Sequence, residues 1–161
     1  MSEIAPFGFT AVGTPVPQGS KTRTRWSIRD DNADRLKPWR ETVTGAALDV
    51  VTARGGGPVF PRGVPVVVSF RFFFPPTVAA EKARKKGIRT VPAARPDWDK
   101  IARSVGDSMT DAQVWADDGQ VAAGFVSKAW AFGRPPGVDV TVTCWTADAP
   151  WLAAPALEVA G

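Results

Sequence analysis

The sequence predicts a small single-domain α+β protein, with a mixed β-sheet and two main helices in the order β-α-β-α-β-β. Three observations predict it. "VPVVVSFRFFFPP" is a long alternating apolar run with the signature of a central strand. Two segments, Pro38 to Ala53 and the stretch beginning near Asp97, repeat apolar residues at helical spacing. Two further alternating runs, Gln120 to Ala131 and Val138 to Trp145, follow the second of them. A chain of 161 residues is long enough to bury one real core.

The elements follow in order. "FGFTAV" (Phe7 to Val12) alternates as a short strand. "GTPVPQGSKTRTRWSIR" is broken by Gly and Pro and carries Lys21, Arg23, Arg25 and Arg29 with no acid between them, so an exposed basic loop is expected. In the first helix Trp39, Val43, Ala46, Ala47 and Val50 share a face, Pro38 suits the first turn, and "RGGGP" stops it. In the central strand Val66, Val68, Phe70, Phe72 and Phe74 point one way. Val67 and Phe73 on the other side imply a second, partly covered face. Thr77 to Arg95 holds Lys82, Arg84, Lys85, Lys86, Arg89 and Arg95 against Glu81 alone, which is either a solvated charged face or an arm that grips phosphate. Trp98, Ile101, Ala102 and Val105 then form one apolar stripe on the second helix. "DAQVWADD" is a turn or short edge, and "GRPPG" reads as a hairpin connection between the last two strands. Residues 1–146 make the domain. The stretch 147–161, rich in Ala and Pro, is expected to be a loosely ordered tail.

The absences narrow the chemistry. Without histidine or tyrosine the chain has no Ser-His-Asp or Cys-His catalysis, no histidine-bound zinc and no tyrosine nucleophile. One cysteine, Cys144, allows neither an internal disulfide nor a zinc ribbon and fits a reducing cytoplasm. No apolar run is long enough to span a membrane, and no basic region followed by an apolar block marks a secretory signal. A net charge of +4 favours an anionic partner, with nucleic acid the first choice. An enzyme built from what remains rests on Asp, Glu, Lys, Arg, Ser or Thr, and clustered Asp with a hard cation is the most economical arrangement.

Two acidic sites stand out in this cationic chain: Asp97 and Asp99 in "RPDWDKIARSVGD", and Asp117 and Asp118 in "VWADDGQV". The first pair has a purely structural reading. Asp97 suits an N-cap, Asp99 complements the helix dipole, and Asp99, Arg103 and Asp107 are spaced as an i,i+4 ladder. The second pair precedes a predicted strand, where no dipole calls for acids. Carboxylates brought together repel, and a divalent cation relieves the repulsion. Magnesium takes one or two carboxylates plus waters and phosphate oxygens, and basic segments on either side would hold a phosphodiester backbone.

The two motifs in this order and spacing resemble the RusA family of Holliday-junction resolvases, phage- and prophage-type endodeoxyribonucleases. The family runs Asp-x-Asp-Asn-x-x-Lys with a further Asp four residues on, then Asp-Asp-x-Gln-Val opening a strand that carries a lysine. Here "DWDKIARSVGD" supplies Asp97, Asp99, Arg103 and Asp107, "WADDGQV" supplies Asp117, Asp118, Gln120 and Val121, and Lys128 falls at the strand lysine. The early "GTPVPQGSKTR" is similar to the family's Gly/Pro-rich basic segment after its first strand. The likeness spans Phe7 to Val142.

The resemblance implies a magnesium-dependent homodimer, with manganese as a substitute ion, that cuts four-way DNA junctions in recombination, repair or phage DNA processing. It implies no membrane and a bacterial cytoplasm. It makes Asp97, Asp99 and Asp118 the essential carboxylates and Asp117 a neighbouring ligand. The charge runs make Lys21, Arg23, Arg25, Lys82, Arg84, Lys85 and Lys86 candidates for DNA contact, and the resemblance adds Lys128. Lys100 stands where the family has Asn and Arg103 where it has Lys. Arginine keeps the charge but cannot give up a proton, so either residue is a candidate for the family lysine's role. Two other readings stay open: a DNA-binding module whose acids only cap and bridge, and a metal-dependent nuclease for other branched or flapped DNA.

Overall fold

The computed structural model describes residues 4–19, 21–23, 28–30 and 33–146. Four strands form one mixed sheet in the order β1-β6-β4-β5, from β1 (Phe7–Val12), β4 (Val66–Phe74), β5 (Val121–Trp130) and β6 (Gly137–Cys144). β6 runs antiparallel to β1 and β4, while β4 and β5 are parallel. β2 (Lys21–Arg23) and β3 (Ile28–Asp30) pair as a separate antiparallel ribbon where a loop was expected. The basic side chains of that region, Arg25 among them, lie outside the described residues, as does the tail from 147.

β4 is central because its sequence is apolar on both faces. Val66, Val68, Phe70, Phe72 and Phe74 join the main core, and Val67 and Phe73 are also buried. Such a strand needs a neighbour on each side, and it takes β5 and β6. The last two strands are therefore not a hairpin. Their connection crosses over β4, and β5 is left at the edge of the sheet.

Two helices cover one face. α1 (Ala33–Ala53) buries Leu36, Trp39, Val43, Ala47 and Val51. It starts a turn earlier than Pro38, because burying Leu36 outweighs the single backbone bond that Pro38 cannot make. α3 (Trp98–Asp111) buries Ile101, Val105 and Met109, with Ser104 and Ser108 where it meets α1. These small side chains allow close approach and satisfy themselves. Trp39 Nε1 donates to Ser104 Oγ at 3.3 Å, and Ser108 Oγ donates to the Ser104 carbonyl at 2.9 Å. A third helix, α2 (Val78–Lys85), forms within the basic segment Thr77 to Arg95. Thr77 caps it, accepting from the Ala80 amide at 3.1 Å. No described helix is long and apolar enough to cross a membrane.

The other face of the sheet has its own polar clamp. Arg134 donates to both Asp139 oxygens, at 2.9 and 2.8 Å, and Thr10 Oγ1 donates to Asp139 at 3.0 Å. The guanidinium lies 3.6 Å from the centroid of the Phe73 ring, so it seals that side chain while pairing with Asp139. The hydrogen bonds from Arg134 hold the Asp139 carboxyl below the usual carboxylate range, against the opposing effect of burial, with Thr10 assisting. A lowered folded-state value means stability that is present above the unfolded carboxylate pKa and is lost as pH falls through the folded one. Asp139→Asn is therefore expected to lower the melting temperature at neutral pH by about 2–4 °C. The gap from the unsubstituted protein should close as pH drops below about 4. Thermal melts across pH check this, and a gap that stayed constant would place the stabilisation elsewhere.

Candidate active site

The parallel β4–β5 pair is joined by a crossover through α2 and α3. α3 therefore starts at the end of the sheet where β4 finishes and runs back to where β5 begins. Asp97 is the N-cap of α3, in extended conformation, and Asp99 lies in the first turn. Both line one cleft together with Arg95, Trp98 and Lys128.

Lys128 fixes this corner. It points from β5 toward the helices and donates to the Ala94 carbonyl at 2.9 Å and the Pro96 carbonyl at 3.2 Å. The strand lysine thus ties down the loop that delivers Asp97, and two of its three donors serve structure. On the far side of Asp97 the Gly/Pro-rich segment closes in. The Gln18 amide donates to the Lys100 carbonyl at 3.0 Å, and Thr14, Pro17 and Arg35 share a second cleft with Arg95, Asp97 and Lys100. Lys100 Nζ lies 3.4 Å from Asp97 Oδ2.

The expected Asp99–Arg103–Asp107 ladder does not form. Arg40 on α1 takes the acids of the last turns of α3, lying 3.8 Å from Asp107 and 2.6 Å from Asp111. Helix packing brings that guanidinium in from across the interface, a partner that sequence spacing along one helix does not reveal. Asp99 and Arg103 are exposed, and neither makes an ion pair or side-chain hydrogen bond among the described residues.

Asp117 and Asp118 sit at the other end. Asp117 caps a 3-10 turn, Asp118–Gln120, and accepts from the Gly119 amide at 2.8 Å. The expectation that acids here have no helical terminus to serve is thereby corrected for Asp117, because a short turn intervenes before the strand. Gln120 organises the whole corner. Its Oε1 accepts from the Ala116 and Asp117 amides at 3.1 and 3.0 Å, and its Nε2 donates to the carbonyls of Phe60, Pro61 and Val64 at 3.3, 2.8 and 2.9 Å. Asp118 is left exposed at the start of β5.

The sequence-derived carboxylates are therefore not gathered within one chain. α3 separates its two ends by about 21 Å for 14 residues at helical rise. β5 separates Val121 from Lys128 by about 23 Å. Among the described residues no three acids lie close enough to hold one metal ion. Asp97 and Asp99 do share a cleft, and two carboxylates are what magnesium takes from a protein.

The basic residues collect at the Asp97 end. α2 follows directly from the end of β4, and Lys82, Lys85 and Lys86 are exposed on it. Arg84 instead pairs with Glu81 at 3.2 Å and covers the Phe132 ring. The family model for endodeoxyribonuclease RusA matches residues 13–143 of the 161. The chain belongs to the RusA endodeoxyribonuclease family. No curated protein matches it. The RusA match runs from Gly13, directly after β1, to Thr143 near the end of β6, so it takes in the Gly/Pro-rich segment, both acidic motifs and Lys128. The resemblance read from those motifs is borne out.

Gln120 is the residue whose importance spacing did not disclose. It belonged to a motif, but a buried amide bonded on both sides is visible only once Phe60 to Val64 folds against it. Gln120→Ala should cost roughly 2–3 kcal/mol, since buried donors and acceptors lose partners together. Urea unfolding measures this. A loss under about 0.5 kcal/mol would mean that water replaces the amide without penalty.

Proposed function

We propose that the protein is a magnesium-dependent, structure-selective DNA endonuclease that works as a homodimer and resolves four-way junctions by paired symmetric nicks. The observation that carries this is the shared cleft of Asp97 and Asp99 at the end of the domain where the exposed lysines of α2 gather. A site that must hold a phosphodiester needs both: carboxylates for the cation and cations for the backbone.

Asp97 and Asp99 are the residues that would hold the ion. When bound, magnesium supplies Lewis-acid polarisation of the scissile phosphate. The other roles belong to the chain. Arg103, one turn beyond Asp99, carries a permanently charged fork suited to two phosphate oxygens and offsets the charge that builds up as water attacks phosphorus in line. Lys100, beside Asp97, is a second cation at that turn. Lys128 keeps the Asp97 loop in place. Lys82, Lys85 and Lys86, with Lys21, Arg23 and Arg25, track the flanking backbone. The water oxygen bonds to phosphorus as the bond to the 3′ oxygen breaks, and that oxygen takes up the proton the water gives up, leaving a 3′ hydroxyl and a 5′ phosphate.

The separation of the acids supports the homodimer. β5 has β4 on one side and, among the described residues, no strand on the other. An exposed edge of ten residues is a template for pairing. A two-fold axis beside it would run a second β5 antiparallel, setting the start of one against the end of the other. Asp118 of the partner subunit would then stand near Asp97 and Asp99, and two equivalent sites would result, one for each strand to be cut.

A DNA-binding module without catalysis is the reading that the capping by Asp117 and the Asp97–Lys100 pair would suit. One assay separates them. With magnesium, the protein should nick a synthetic four-way junction in two symmetric strands, cut flaps and linear duplex far less, and do nothing in a chelator. Asp99→Asn should bind the junction as well as or better than the parent yet cut it at least 100-fold more slowly, on the order of what losing a charge-stabilising group costs. Near-normal cutting by Asp99→Asn would remove that residue from the site. Junction binding without any cutting by the parent protein would favour the module.

A further inference from the structure

Trp98 occupies the position between Asp97 and Asp99. Its apolar spacing with Ile101 and Val105 predicts a core residue, but the core begins at Ile101, and Trp98 is 63% exposed. The first residue of α3 projects past the end of the sheet, where no described element covers it. The other tryptophans with described positions are more covered, Trp145 being half-buried. Trp39 and Trp115 are buried and hydrogen-bonded to Ser104 and Thr110, and the Trp130 indole donates to Thr90 at 3.2 Å. The Trp98 indole makes no hydrogen bond or ring contact among the described residues, yet it lines the cleft that holds both carboxylates.

A large flat apolar ring exposed between two metal-binding acids is unfavourable in water and of no use to a phosphate. It suits the other part of a nucleotide. Aromatic rings stack on bases of any sequence, but only on bases whose own stacking is interrupted. In continuous duplex the base beside a cut phosphate is stacked on both sides, and freeing it is costly. At a four-way branch point the stack is already broken.

We infer that Trp98 is a stacking platform for the nucleobase beside the scissile phosphate, taken at the branch point, and that it makes cleavage depend on branched DNA. This rests on the reading in which Asp97 and Asp99 hold that phosphate. The ring touches substrate and sets specificity, while the carboxylates perform the chemistry.

The test uses junctions carrying 2-aminopurine in turn at each branch-point position, bound by full-length Asp99→Asn protein so that no cutting occurs. A free, unstacked 2-aminopurine is bright, and one stacked on indole is quenched. At one position at least, the complex with Trp98 present should be several-fold dimmer than the complex made with the added change Trp98→Ala, and Trp98→Phe should lie between. In the cutting protein, Trp98→Ala should lower kcat/KM on junctions by about 5- to 140-fold, the range for losing one stacked base, and Trp98→Phe should recover most of it. Because the side chain is exposed, both variants should melt within a few degrees of the parent. Equal emission with and without the indole at every position, or junction cutting by Trp98→Ala at the parent's rate, overturns the inference and leaves the junction-nuclease reading intact. Failure of the parent protein to cut junctions overturns both.

Discussion

Parallel pairing of β4 with β5 is the constraint from which the site follows. Two parallel neighbours cannot be joined by a tight turn, so the chain must travel the full length of the sheet between them. α3 makes that journey. Its start and the end of β5 lie together at one edge of the domain, and its end and the start of β5 lie together at the other. The two acidic motifs flank this helix, so one crossover places them at opposite ends. A different topology, with β5 and β6 as a hairpin, would have no such separation.

Each end is then fixed by a polar side chain that reaches across to loop carbonyls. Lys128 does this for Asp97 and Gln120 does it for Asp118. Both anchors stand on or directly before β5, so the strand sets the spacing of the two carboxylate groups like a ruler. Other acids are neutralised by packing. Arg40 takes Asp107 and Asp111 where α1 crosses α3, and Arg134 takes Asp139 beneath the sheet. Asp99, Asp118 and Arg103 are among the charges left without an ion pair among the described residues, which suits the proposal that they meet a phosphodiester and a cation.

Much of this was legible in the sequence because alternation and helical spacing report burial directly. Val66 to Phe74 announced a central strand, and the stripe from Ile101 announced α3. Sequence order failed where partners are remote. It paired β5 with β6 because they are adjacent, although the apolar demand of β4 separates them. It put Trp98 in the core because periodicity cannot tell where the sheet ends. It offered Asp99 and Asp107 to Arg103 because spacing along one helix does not see Arg40 on another. α2 was hidden because Lys82 to Lys86 reads as charge rather than as structure, and only its Thr77 cap signals a helix. The acidic motifs were found by their residue types. Their separation was not, since it depends on which strands lie parallel.

The central claim is that a complete site draws Asp97 and Asp99 from one chain and Asp118 from another. Complementation tests it most directly. Asp99→Asn and Asp118→Asn proteins are each made alone, then co-folded in equal amounts and given a magnesium-supplemented junction. Each variant alone carries the same defect in both sites and should be inactive. A mixed dimer concentrates both defects in one site and leaves the other whole. With random assortment, nicking should return to roughly a quarter of the parent's level, from half the dimers having one intact site of two. If the mixture cuts no better than either variant by itself, the carboxylates act within one chain and the account given for β5 is wrong.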